Sequence, residues 1–104
     1  MEYRLASLEM DDYELRPSTY YLNHPIHIEI GNLVKLDFQY RPGRYERFGG
    51  ENMWVLVTEI HGQYFVGNLD NDPFERVLKY GSRVVFCLEH IVGNGVRKVE
   101  WVRA

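Results

Sequence analysis

The chain has 104 residues, 45% of them hydrophobic and 14% aromatic, with eight tyrosines, five phenylalanines and two tryptophans. That length holds one core rather than two, and the apolar, aromatic-rich composition excludes an intrinsically disordered chain and favours strands. Twelve Lys and Arg against fifteen Asp and Glu leave a formal charge of -3, a field that repels phosphate backbones and disfavours nucleic acid as a partner.

Residues 1–25 form an arm whose texture differs from that of residues 26–104, which are expected to make a single β-rich domain. In the arm, Leu5, Leu8 and Asp12 have partial helical spacing, and an acidic cluster runs through Glu9, Asp11, Asp12 and Glu14. Pro17 ends any helical turn there. The tyrosines Tyr3, Tyr13, Tyr20 and Tyr21 carry large apolar bodies, so the arm is expected to pack on the domain. The first residues have neither the basic start nor the apolar run of a secretory signal, and no apolar run approaches a membrane span. A soluble cytoplasmic protein is the resulting expectation.

From Ile26 the pattern becomes that of a strand: Ile26, Ile28 and Ile30 alternate with His27 and Glu29, and Gly31-Asn32 breaks the run. Val34, Leu36 and Phe38 then alternate with Lys35, Asp37 and Gln39, which predicts a half-buried strand. Residues 41–52 read as a loop, because Pro-Gly and Gly-Gly both interrupt ladders. Residues 53–60 are apolar on both faces, with Trp54, Leu56 and Ile60 on one side and Met53, Val55 and Val57 on the other; Trp54 is expected in the core. A two-residue turn at His61-Gly62 leads to a return strand over 63–69, a register that places Trp54 opposite Leu69 and Leu56 opposite Gly67. Gly67 then either leaves space beside Leu56 or marks a bulge.

Asp72 is placed to cap a short helix with Pro73 at its first position and Glu75 three residues beyond the cap. Gly81 ends it. A strand over 83–91, a turn at Gly93-Asn94-Gly95 and a last strand over 96–102 complete the chain. The stretches beginning at Gly31 and Gly81 share the pattern Gly-x-x-Val-x-apolar-x-apolar, which fits either a structural duplication or the turn-then-strand habit of any small β protein. The fold class that follows is mainly β, a small bent antiparallel sheet or SH3-like barrel of about six strands with one or two short helical turns.

No residue set closes into a catalytic or metal site. His24 and His27 flank a proline that favours extended chain, which sends them to opposite faces, and His61 and His90 bring no further ligand motif. Asp70, Asn71 and Asp72 lack the spacing of a calcium loop and suit an Asx turn instead. Cys87 and His90 fall on opposite faces of a strand, so they form no dyad, and with one cysteine there is no internal disulfide. Glu59 and Asp70 lie near the two ends of the hairpin, too far apart for shared acid-base work. Neither enzyme activity nor a cofactor is expected.

The basic-aromatic cluster Arg41, Arg44, Tyr45 and Arg47, with Tyr40 and Phe48, suits a protein contact, where Tyr, Trp and Arg dominate, or the stacking of single-stranded bases.

The residues Gly31 to Leu36, Gly50-Glu51, Met53 to Ile60, Gly67 to Pro73, Leu78 to Phe86 and His90-Ile91 together resemble a family of small, mostly bacterial domains of unknown function. Met-Trp-Val and Leu-Asp-Asn-Asp-Pro are the most specific strings, and about two thirds of the chain is covered. This chain departs from the pattern after each turn glycine, where Asn32 and Ser82 stand in place of Asp. The resemblance implies an accessory or immunity-type module without a catalytic role, and it draws attention to Glu51, Trp54, Glu59, Asp70, Asn71, Asp72 and Pro73. The expected function is therefore a non-enzymatic interaction module for a protein partner, with Arg41, Arg44, Tyr45, Arg47, Glu51, Asp70, Asn71 and Asp72 as candidate contacts. The alternative is a small-ligand or single-stranded nucleic-acid binder using the barrel and the loop at 41–52.

Overall fold

A computed structural model describes residues 13–40, 49–73 and 78–95. Their elements are β1 (Tyr13–Leu15), α1 (Tyr20–Asn23), β2 (Leu33–Tyr40), β3 (Gly50–His61), β4 (Tyr64–Leu69), β5 (Arg83–Cys87), a 3-10 turn (Leu88–His90) and β6 (Ile91–Gly95). All pairings are antiparallel, in the order β1-β2-β3-β4-β5, with β6 also on β2. Because β3 occupies one edge of β2, β1 and β6 divide the other: β1 pairs with residues 38–40 and β6 with residues 33–36. The six strands make a mainly β, nearly closed barrel, in which the 3-10 turn carries the chain from β5 into β6.

The alternation of β2 is realised as expected. Val34, Leu36, Phe38 and Tyr40 point inward and are buried, while Lys35, Asp37 and Gln39 point outward. Met53, Val55 and Val57 of β3, Leu69 of β4, Val84 and Phe86 of β5 and Ile91 of β6 fill the rest of the interior. Trp54, expected in the core, lies instead on the outer face and is half-buried. Alternation puts it opposite Met53 and Val55, and those two side chains already occupy the narrow interior.

The β3–β4 hairpin turns one residue later than expected. His61 pairs with Tyr64, so Gly62-Gln63 forms the turn, with Gly62 at φ 59. Positive φ at the first central residue is the glycine-first pattern of a type II′ turn, which matches the twist of the flanking strands. The register also shifts between Val57 and Glu59, a bulge at Thr58, so Leu69 faces Val55 and Leu56 faces Asn68 rather than Gly67. Thr58 Oγ1 donates to the Val66 carbonyl at 3.2 Å across this bulge. Gly67 leaves no free space: a Cβ there would stand 2.5 Å from both the Leu56 carbonyl oxygen and Val55 Cγ1.

Other expectations give way for local reasons. Gly50, Glu51 and Asn52 begin β3 rather than ending a loop; Gly50 sits where a Cβ would meet the Phe38 carbonyl at 2.5 Å. Residues 26–30 form no ladder. Ile26 and Ile28 pack on the core, but Ile30 sits in a turn and is exposed. The strand expected over 83–91 breaks at the 3-10 turn, and Gly93-Asn94-Gly95 lies inside β6. The helix expected from Pro73 to the Gly81 stop is not helical at Pro73 or at residues 78–80, where the chain turns into the Gly81 corner, and its residues 74–77 fall outside the described residues, as do the helical spacing at Leu5, Leu8 and Asp12 and the strand expected over 96–102. In residues 13–25, Tyr13 is buried with its ring 5.3 Å from that of Phe38, Ser18 donates to the Glu89 carbonyl at 2.7 Å, and Tyr20 Oη donates to Asn94 at 3.0 Å.

The two glycine-led stretches are structurally duplicated at their corners. Asn32 N–H donates to the Glu29 carbonyl and Ser82 N–H to the Lys79 carbonyl, each closing a β-turn whose third residue is a positive-φ glycine, Gly31 at 99 and Gly81 at 88. The side chain of the fourth residue accepts the N–H of the first in both: Asn32 from Glu29 and Ser82 from Lys79, each at 2.9 Å. Gly31 N–H then donates to Val57, and Val57 N–H to Asn32; likewise Gly81 N–H donates to Leu69, and Leu69 N–H to Ser82. Two residues thus oppose one across each corner, with glycine first, which defines a G1 bulge.

Candidate interaction surface

Directly across the ladder from Trp54 stands Lys35, whose ammonium lies 4.9 Å from the centre of the indole ring. Both are outward residues of long strands, and such a cation over an indole is attracted by the ring's quadrupole. The far edge of the indole reaches β6, where a Cβ on Gly95 would meet two of its carbons at 3.4 Å. Gly93 likewise lies against the Lys35 stem. The glycines of β6 therefore provide a flat floor on which these two large side chains rest.

The acidic turn docks beside the same tryptophan. Asp70 N–H donates to the Trp54 carbonyl at 2.8 Å, and Trp54 N–H donates to Asn71 Oδ1 at 2.5 Å, so Asn71 continues the β3 ladder beyond the end of β4 with its side chain. Tyr80, 62% exposed, donates its hydroxyl to Asp70 at 2.9 Å. Asp72 is exposed and Pro73 half-buried. The structure thus gathers Asp70 and Asn71 with Trp54, Lys35 and Tyr80 on one outer face. Glu51 does not join them: it falls on the inward alternation at the other end of β3 and accepts from the Tyr40 hydroxyl at 2.7 Å. Arg41, Arg44, Tyr45 and Arg47 lie outside the described residues.

Lys35 and Tyr80 were not among the sequence candidates. Lys35 was readable as an outward residue, but its position opposite Trp54 depends on register. Tyr80 reaches Asp70 because the duplicated corner folds residues 79–82 back onto the end of β4.

The histidines are each engaged locally. His24 stacks on Tyr20 with ring centres 4.0 Å apart, His27 Nε2 lies 2.7 Å from Glu29, His61 Nε2 lies 2.6 Å from Glu59, and His90 Nδ1 accepts the Cys87 N–H at 2.9 Å. The last contact departs from the expectation that Cys87 and His90 face apart, because the 3-10 turn folds His90 back over the end of β5. Among the described residues no three His, Cys, Asp or Glu side chains gather at metal-binding distance. Glu59 titrates below its ordinary value of 4.5, chiefly through the hydrogen bond with His61, opposed by desolvation and assisted by the charges of His61 and Arg83.

The barrel interior is filled by Phe38, Phe86, Leu36, Met53 and their neighbours. A cavity of about 470 Å³ lies outside it, between Arg16, Pro17, Ser18, Thr19, Asp37 and Val92, where β2 passes from β6 to β1. Among the described residues no helix is long and apolar enough to cross a membrane. Comparison with protein-family models, with curated proteins and with solved structures returned no match.

Proposed function

We propose that the protein is a non-enzymatic protein-interaction module built on an SH3-like barrel, of the accessory or immunity type that its sequence resembles, and that it works in the cytoplasm. The barrel reading rests on the chain order: a hairpin-linked run from β2 to β5, a 3-10 corner, and a final strand that returns to β2. The binding reading rests on Trp54. A tryptophan displaced to the outside of the barrel, with Lys35 over its ring and the Asp70–Tyr80 pair bonded to its backbone, has the composition of an interaction hot spot, in which Trp and Tyr supply area and polar groups supply orientation. Glu51, at the other end of β3, is a separate candidate contact.

The test is capture of partners from extract of the source organism, quantified for the wild type and for Trp54→Ala and Tyr80→Ala, both folded by circular dichroism. Loss of a stoichiometric partner by about tenfold or more in Trp54→Ala is the expected result, the scale of a hot-spot truncation. Equal capture by all three proteins would sink the reading. A salt-sensitive shift of Trp54 fluorescence with single-stranded oligonucleotide would transfer the surface to base stacking instead.

A further inference from the structure

The outer edge of β5 is the place where a strand from outside can add. Leu69 N–H donates to Ser82 and Leu69 accepts from Gly81, so Leu69 turns its polar groups toward the chain that becomes β5. Groups alternate along antiparallel strands, hence Gly67 and Phe65 exchange hydrogen bonds with their partners Val84 and Phe86. The N–H and C=O groups of Arg83, Val85 and Cys87 therefore point away from β4. His90 Nδ1 accepts the Cys87 N–H. The outward groups of Arg83 and Val85 meet no hydrogen-bond partner among the described residues. The open run is bounded by the Gly81 corner at one end and by the His90 clasp at the other.

We infer that this edge binds an extended peptide by antiparallel strand addition, with an acidic C-terminal end at Arg83 and an apolar side chain beside Val85. The inference rests on the interaction-module reading and names how such a partner would bind. Unpaired edges are templates for a further strand, and Arg83 and Val85 can exchange four hydrogen bonds with two alternate peptide residues, donating two and accepting two. Direction follows from charge. A strand antiparallel to β5 brings its C-terminal end to the start of β5, where Lys79 and Arg83 are exposed; the Arg83 charge is felt by Glu59, but among the described residues neither cation is within 4.0 Å of a carboxylate. Val85, half-buried on the outer side, offers a β-branched surface to the peptide's alternate side chain.

The probe is the acetylated pentapeptide Val-Thr-Val-Thr-Asp with a free carboxylate, which sets Asp opposite Arg83 and the central Val opposite Val85, titrated into the 15N-labelled full chain. The expected result is a saturable shift of the Arg83 and Val85 amides, larger than that of Val84 and Phe86. N-methylation of one alternate set of peptide amides abolishes binding and of the other set does not, and Arg83→Glu weakens binding at least threefold. No saturable shift at millimolar peptide, equal effects of the two methylation patterns, or shifts centred elsewhere would overturn the inference. So would movement of the Arg83 and Val85 amides with protein concentration alone, which assigns the edge to a second copy of the chain. Partner capture separates this inference from the reading beneath it. Capture lost in Trp54→Ala but intact in Arg83→Glu leaves the module standing and removes the edge, whereas capture lost in neither removes the module.

Discussion

The corners at Gly31 and Gly81 are built alike, hydrogen bond for hydrogen bond, yet the strands they launch have opposite fates. After Gly31 comes β2, flanked by β3 on one edge and by β6 and β1 on the other. After Gly81 comes β5, which among the described strands pairs with β4 alone. Inward residues match: Val34 and Leu36 have counterparts in Val84 and Phe86, all buried. The corner decides which residues face the core; the number of strands that reach the edge decides whether the backbone between them is satisfied. The third inward position shows where the likeness ends, since Phe38 is fully buried and Leu88 has turned into the 3-10 corner and is 38% exposed.

Substitutions can break this likeness at successively finer levels. Phe38→Ala and Phe86→Ala each remove a fully buried ring with one aromatic neighbour, Tyr13 and Phe65 respectively, and should each cost about 3–5 kcal/mol, read from urea midpoints at constant slope. A mild effect at either position would deny that both strands share one core. At the corners, Gly31→Ala and Gly81→Ala should each cost about 1–2 kcal/mol, the penalty of a Cβ at positive φ. At Gly81 a Cβ meets nothing within 4 Å, so the backbone angle alone sets that cost. Values differing by more than about 1 kcal/mol would show that the two bulges are alike in form only.

Asn32→Ala and Ser82→Ala remove the side-chain acceptors for Glu29 and Lys79 N–H and should each cost about 0.5–1 kcal/mol, a typical net hydrogen-bond contribution. Aspartate at either position keeps the acceptor and should remain near wild-type stability, measured in the same denaturation series. The smallest effect concerns Glu59. Its folded-state pKa lies below the ordinary value, so its stabilising contribution is present above that value and fades as the pH falls through the folded-state pKa. Carboxyl NMR should place the midpoint below 4.5 and move it upward in His61→Ala; an unmoved midpoint would remove His61 as the cause.

The parts of the fold legible in the sequence are those where polar and apolar residues alternate. Val34, Leu36 and Phe38 declared their face because Lys35, Asp37 and Gln39 separate them. The run from Met53 to Val57 carried no such contrast, so the inward set could not be told from the outward set, and Trp54 went to the wrong side. Its true place, with Lys35 above it and Gly95 beneath, depends on a three-strand register that local patterns do not contain. Two further stretches misled. Gly93 and Gly95 resemble a turn, but they lie within β6 beneath Lys35 and Trp54. Leu88, Glu89 and His90 look like a continuing strand, and the bend appears only once His90 is seen to cap the Cys87 N–H. Asp70 and Asn71 were expected to form a local Asx turn, but their side chains bond at a distance instead: Asn71 accepts the Trp54 N–H and Asp70 accepts the Tyr80 hydroxyl.

Amide hydrogen exchange at four residues tests the central contrast most directly. Val34 and Lys35 occupy the same positions after Gly31 that Val84 and Val85 occupy after Gly81. The account predicts slow exchange at Val34, Lys35 and Val84 and exchange faster by about a hundredfold or more at Val85, whose N–H points to the open edge. Equal protection at Val84 and Val85 in the full chain would contradict it, because β5 would then be covered on both sides and the two strands would not differ.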